Sequence, residues 1–214
     1  MLPEFLMFDP HALGLFILAG LLLNLTPGPD VLYIVARSTS QGRGAGMVSA
    51  LGIGTGCLVH ILAAACGLSA LMVMLPLVYR AVRYAGAIYL IYLGVRALLA
   101  KTKPDRQGLE ATSLKKIFWQ GVLTNVLNPK VALFFLAFLP QFTDSARGGL
   151  VSQFLVLGFI FDCNGTLVNV GYALVASKLG DWLRTRFGIR GLLNRLTGGL
   201  FIAIGLRLAL ADKR

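Results

Sequence analysis

The chain has 214 residues, of which 57% are apolar and 14% charged, with 25 glycines and a mean hydropathy of +0.76. A soluble domain carries about 25% charged residues, so this composition excludes an ordinary soluble protein and implies several membrane spans. Nor is the net charge of +11 a nucleic-acid footprint, because the 20 Lys and Arg lie mostly in loops and at segment ends, where such residues set orientation.

In chain order, the pattern predicts an all-α polytopic membrane protein with six spans, near 11–36, 45–73, 77–99, 117–140, 150–176 and 191–211. Residues 1–10 hold Glu4 and Asp9 but no Lys or Arg, and the apolar run that follows is too long for a signal peptide, so the first span is expected to be retained. Pro76, Arg80 and Arg83 mark the boundary between the second and third spans. The loops 37–44, 100–116 and 177–190, with flanking Arg96 and Arg195, carry thirteen basic residues against six on the other side. That asymmetry places these loops in the cytoplasm and both termini in the periplasm of a bacterial inner membrane.

The linker 101–116 divides the chain into two halves of three spans, 1–100 and 117–214. Gly28-Pro29-Asp30-Val31 aligns with Asn128-Pro129-Lys130-Val131, and Gly94-Val95-Arg96 with Gly205-Leu206-Arg207. A duplicated unit with an odd number of spans must insert upside down. The expected architecture is therefore two inverted three-helix repeats in a single transporter domain, with proline-broken first and fourth helices.

Those breaks carry the chemistry. In Leu25-Thr26-Pro27-Gly28-Pro29-Asp30, both prolines remove a backbone donor and Gly28 permits an unwound link. Pro29 suits the first turn of a new half-helix, and Asp30 suits its positive end. Asn128 is a good N-cap and Pro129 again suits the first position. Lys130 has the wrong charge for a helix N-terminus, which implies that a partner or ligand holds it there. Inverted topology would aim both half-helices at one midplane spot, where dipole ends and Lys130 suit a carboxylate while Asp30 holds an ammonium or the Lys130 amine. Both signs together match a zwitterion. The competing account is a structural ion pair between Asp30 and Lys130; charges this costly at a helix centre, roughly 2.5–3.5 kcal/mol each, are functional by default.

Three polar residues in the fifth span, Asp162, Asn164 and Asn169, point to a face lining a cavity, with Asp162 the candidate proton carrier. His60 lies on a small-residue helix (Gly46, Gly52, Gly54, Gly56) as either a pathway residue or an interhelical hydrogen-bond donor. Asn125, three residues before Asn128, shares its helical face and is placed to line the site. Asn24 is a weaker candidate, and Tyr89, Tyr92 and Trp119 read as packing or interfacial aromatics. The cysteines Cys57, Cys66 and Cys163 form no CxxC pair and all fall in apolar segments, so packing is expected and neither metal nor cofactor is implied.

These motifs together resemble the LysE/RhtB family of bacterial amino-acid exporters. Leu25-Thr26-Pro27-Gly28-Pro29-Asp30 is similar to the family's first-helix signature, Gly52-Ile-Gly-Thr-Gly56 with His60 to its second helix, Ala85-Gly86-Ala87 through Leu93-Gly94 to its third, and Asn125-Val-Leu-Asn128-Pro129-Lys130 to its fourth. Asp162 falls where the family's fifth helix often carries an acid, whereas Cys163-Asn164-Gly165 departs from the bulkier residues expected there. The resemblance implies efflux of an amino acid or derivative driven by protons, with no enzymatic step. The partners expected are therefore that small molecule, protons and the bilayer, with a homo-oligomer left open and no nucleic acid. From another class comes a membrane-embedded thiol-redox carrier on a similar scaffold, but here the breaks hold Asp30 and Lys130 instead of cysteines. An intramembrane protease fits less well, since Ser49 and His60 stand about 16 Å apart along one helix.

Overall fold

The computed structural model describes residues 8–68, 111–147 and 149–185, with scattered positions between 77 and 99 and between 199 and 206. Most of the expected third and sixth spans, Tyr89 and the centre of the linker lie outside the described residues. Every regular element among those described is helical: α1 (Pro10–Leu25), α2 (Pro29–Ala63), α3 (Leu114–Val126), α4 (Pro129–Leu133) and α5 (Leu150–Thr185). A π-helical turn, Ala64–Leu68, prolongs α2. π and 3₁₀ turns carry α4 on through Phe142.

Two helical runs, Pro29–Gly67 and Leu150–Lys178, are long and apolar enough to cross a membrane. The pair Leu114–Val126 and Pro129–Phe142, bent by 43° at its break, makes a third if counted as one span. The first run is two limbs in space. Gly42 has φ 82° and ψ −176°, backbone that only glycine adopts without strain. Beyond it Gly46 packs on Ser38, although residues eight apart in a straight helix are separated by about 12 Å. The chain reverses at Gly42.

Contacts give the directions. The first limb runs antiparallel to α3, since Asp30 meets Asn125 and Gln41 meets Thr112. The second limb runs parallel to α3, Gly56 facing Val122 and His60 facing Asn125. It runs antiparallel to α5, with Gly46 against Ala173 and Ile61 against Gly158. The broken helix α1–α2 and the broken helix α3–α4 therefore point in opposite directions with their breaks side by side.

Small residues permit this closeness. A Cβ on Gly56 would sit 2.6 Å from the Val122 carbonyl oxygen, and one on Gly121 would sit 2.9 Å from that of Ser49. In lipid, where apolar burial gives helices little reason to associate, such van der Waals contact is a main source of cohesion. Aromatic packing supplies more on the α4 side. Phe134 stacks on Phe161 at 4.3 Å, and Phe16 meets Phe134, Phe138 and Phe142 at 5.3–6.4 Å. This cluster ties α1, the π turn after α4 and α5 into one core.

Candidate functional site

The first break is built from missing donors. An N–H of residue i normally bonds the carbonyl of i−4, so Pro27 leaves the Leu23 carbonyl without that donor and Pro29 does the same to Leu25. Lys130 Nζ donates to Leu23 O at 2.6 Å and to Thr26 O at 2.9 Å. Tyr172 of α5 donates its hydroxyl to Leu25 O at 2.7 Å. Thr26 turns its own hydroxyl back to Leu22 O at 2.8 Å, and its N–H bonds Leu23 O as the C-cap. The carbonyls at the end of α1 carry the negative end of its dipole, so an ammonium is the right charge to meet them. This resolves the misfit noted for Lys130: its partner is the C-terminus of another helix.

Beyond the break, α2 starts as expected with Pro29 in its first turn and Gly28 as N-cap, where no side chain caps the helix. Gly28 also makes room for Lys130, because a Cβ there would lie 3.4 Å from Lys130 Cδ. Asp30 follows in the first turn, accepting from Asn125 Nδ2 at 2.9 Å. Its other oxygen, Oδ1, is buried and has no hydrogen-bond partner among the described residues; the Asn128 amide lies near the carboxylate without closing a bond to that atom. Asp30 and Lys130 attract each other electrostatically, but they form no direct ion pair within 4.0 Å. The zwitterion picture is corrected in one respect: two of the three Lys130 donors are spent on backbone.

The second break matches its expected capping. Asn128 is 2% exposed and its Oδ1 accepts from Lys130 N at 3.0 Å, with Pro129 in the first turn of α4. Asn125 is 3% exposed and makes the central junction. Its amide serves Asp30, while its carbonyl takes the Asn128 N–H at 2.9 Å and meets His60 Nε2 at 3.1 Å. His60 is thus an interhelical hydrogen-bonding group, with its ring stacked on Phe135 at 5.9 Å.

Asp162 sits one layer away, its Oδ1 facing Gly54 and its carboxylate beside the buried Cys57 thiol. Asn24 reaches Phe161 O at 3.4 Å and lies against Gly165, a packing role at the α1–α5 crossing. Asn164 is half-buried, and no contact among the described residues joins it to the junction. The three cysteines are free thiols, and Ser49 donates back to Ala45 O at 2.8 Å inside its own helix.

One polar cluster escapes the sequence reading. Arg37, counted there as a loop charge, is 5% exposed and donates to Gln41 and Gln120, both at 2.9 Å. Tyr33 donates to Ile117 O at 2.9 Å and Gln120 at 3.2 Å, and Gln41 bonds Thr112 at 2.8 Å. With Leu123, Thr124 and Leu127, three of these residues (Tyr33, Arg37 and Gln120) line a cleft of about 350 Å³. The available signal was Tyr33 and Gln120, polar residues inside apolar spans.

The LysE type translocator family model matches residues 21–212. A Vibrio cholerae membrane protein is 31% identical over 95% of this chain and 98% of its own length. A homoserine/homoserine lactone efflux protein of Salmonella typhimurium is 30% identical, covering 92% of this chain and 95% of that protein. A membrane protein of Pseudomonas aeruginosa is 30% identical over 92% of this chain and 94% of its own length. No solved structure matches the chain.

Proposed function

The chain belongs to the LysE type translocator family, and from that premise we propose that it is a secondary transporter exporting an amino acid or amino-acid derivative from the cytoplasm. In this reading it works by proton antiport and alternating access, with six spans in two inverted repeats in the bacterial inner membrane. One observation carries it. Two oppositely directed helices are both broken, and each break reaches into the other: Lys130 closes the carbonyls of α1, and Asn125 holds Asp30. Buried charge at such a crossing is what inverted-repeat transporters use near mid-membrane. The Salmonella relative's name supports export of a homoserine-like compound.

Pro27, Gly28, Pro29, Asp30, His60, Asn125, Asn128, Pro129 and Lys130 frame the proposed substrate site, Asp162 carries the proton, and Asn164 lines the approach. The test is efflux from cells loaded with homoserine. Asp30→Asn should lower export at least about tenfold, the scale of one lost charge-assisted hydrogen bond, with unchanged membrane abundance. Wild-type rates in that variant would overturn the site assignment. Asp162→Asn should abolish the response of export to an imposed proton gradient; a retained response would remove Asp162 from the coupling step.

A further inference from the structure

Within the exporter reading just proposed, the unpaired groups at the junction bear on which end of the substrate is recognised. Two oxygens there are buried and lack hydrogen-bond partners among the described residues: Asp30 Oδ1 and Asn125 Oδ1. The amide orientation is not arbitrary. A carboxylate can only accept, so Asn125 must turn its NH₂ to Asp30 and its oxygen away. The hydrogen bond between the two side chains keeps these free oxygens close together. Both are acceptors, and one belongs to a carboxylate with no cation in direct contact among the described residues.

Most side-chain donors that would suit a substrate carboxylate are already engaged, and the Asn128 amide lies toward Asp30. Lys130 gives two of its three hydrogens to Leu23 O and Thr26 O, Asn125 gives its amide to Asp30, and the Tyr172 hydroxyl goes to Leu25 O. The backbone N–H of Lys130 is taken by Asn128 Oδ1. A buried acceptor pair bearing one negative charge calls for a ligand that brings both donors and a positive charge. A primary ammonium brings three N–H donors and that charge.

We infer that this site recognises its substrate by the ammonium group, seated between Asp30 Oδ1 and Asn125 Oδ1, and that Lys130 is scaffold and not a carboxylate ligand. Compounds that keep the ammonium but lose the carboxylate are then substrates, and compounds with the reverse change are not.

The experiment uses the purified full chain in lipid vesicles, with radiolabelled homoserine, its carboxamide and its N-acetyl derivative, each measured against protein-free vesicles. The ammonium survives in the first two and the carboxylate in the first and third. Homoserine and the carboxamide should move at rates within about threefold of each other, and the N-acetyl compound at least about tenfold more slowly. Transport of the N-acetyl compound at the homoserine rate, or loss of the carboxamide alone, overturns ammonium recognition and leaves the exporter reading standing. If neither these probes nor any of the common amino acids moves, the exporter reading falls and the inference with it. Because the comparison is made on the unaltered protein, it does not depend on a variant folding. Asn125→Ser, which shortens the seat, should raise KM for both amines together, while an unchanged KM for both would remove Asn125 from it.

Discussion

Lys130 carries the least ordinary assignment at the scale of single residues. Its ammonium replaces the backbone donor that Pro27 removes and also meets Thr26 O, so Lys130→Met keeps much of the volume but takes a charged donor from Leu23 O and Thr26 O. Hydrogen bonds to a charged group contribute about 1.5–3 kcal/mol. The expected outcome is a loss of about 3 kcal/mol of stability, read as a lower midpoint of thermal unfolding in detergent. Tyr172→Phe removes one neutral donor from Leu25 O and should cost less, about 1 kcal/mol. If the two variants were equally stable, Lys130 would not be the principal cap. At the other end of α1, Asp9 caps the helix by accepting from Ala12 N and His11 N. The Ala12 N–H is the main cause holding this carboxyl below its ordinary range. The capping contribution is thus complete above the unfolded-state value and lost as pH falls through the lowered one. The protection of the Ala12 amide, relative to its intrinsic exchange rate at each pH, should fall in that acid window and stay constant above it.

At the scale of elements, the decisive features are a reversal and two close contacts. Gly42 turns α2 back on itself with φ 82°, and an added methyl there would meet no atom within 4 Å. Gly42→Ala should therefore cost about 1–3 kcal/mol through backbone strain alone. Gly56→Val instead pushes against the Val122 carbonyl and Asn125 Cβ. Overpacking of this kind costs about 1–3 kcal/mol and would separate α2 from α3. Since that packing brings His60 to Asn125, the residue that holds Asp30, Gly56→Val should lower export as well as stability, whereas Gly42→Ala acts farther from the junction. Measuring unfolding and efflux together separates the two cases. Equal loss of export per unit of stability lost would deny the α2–α3 contact any special role.

For the whole molecule, the antiparallel arrangement of the two broken helices is the property on which the proposed transport rests. Neither break makes a site alone, because α1 ends in carbonyls that α4 and α5 satisfy, and α2 starts with an acid that α3 meets. The proposed orientation, with both termini periplasmic, predicts that alkaline phosphatase fused after Arg214 is active and that a fluorescent protein inserted in 101–116 folds in the cytoplasm. The reverse pattern would invert the direction assigned to export.

Much of this was legible in the residues themselves. Local chemistry dictates that two prolines and a glycine interrupt a helix, that Asn128 caps the next one, and that a chain so apolar belongs in a bilayer. These outcomes depend on neighbours within a few positions, which a sequence displays directly. What pairs with what was decided by packing. Lys130 and Asp30 read as the two ends of a zwitterion site, with a mutual ion pair the competing account, yet the lysine is held by carbonyls more than a hundred positions away and the acid by Asn125. Arg37 looked like a loop charge until α3 brought Gln120 beside it. The reason is physical: an orphaned carbonyl leaves no mark on composition or periodicity, and its partner is chosen by which helix approaches closely enough. Here the small residues of α2 and the reversal at Gly42 settle that approach, and the free oxygens of Asp30 and Asn125 are its product.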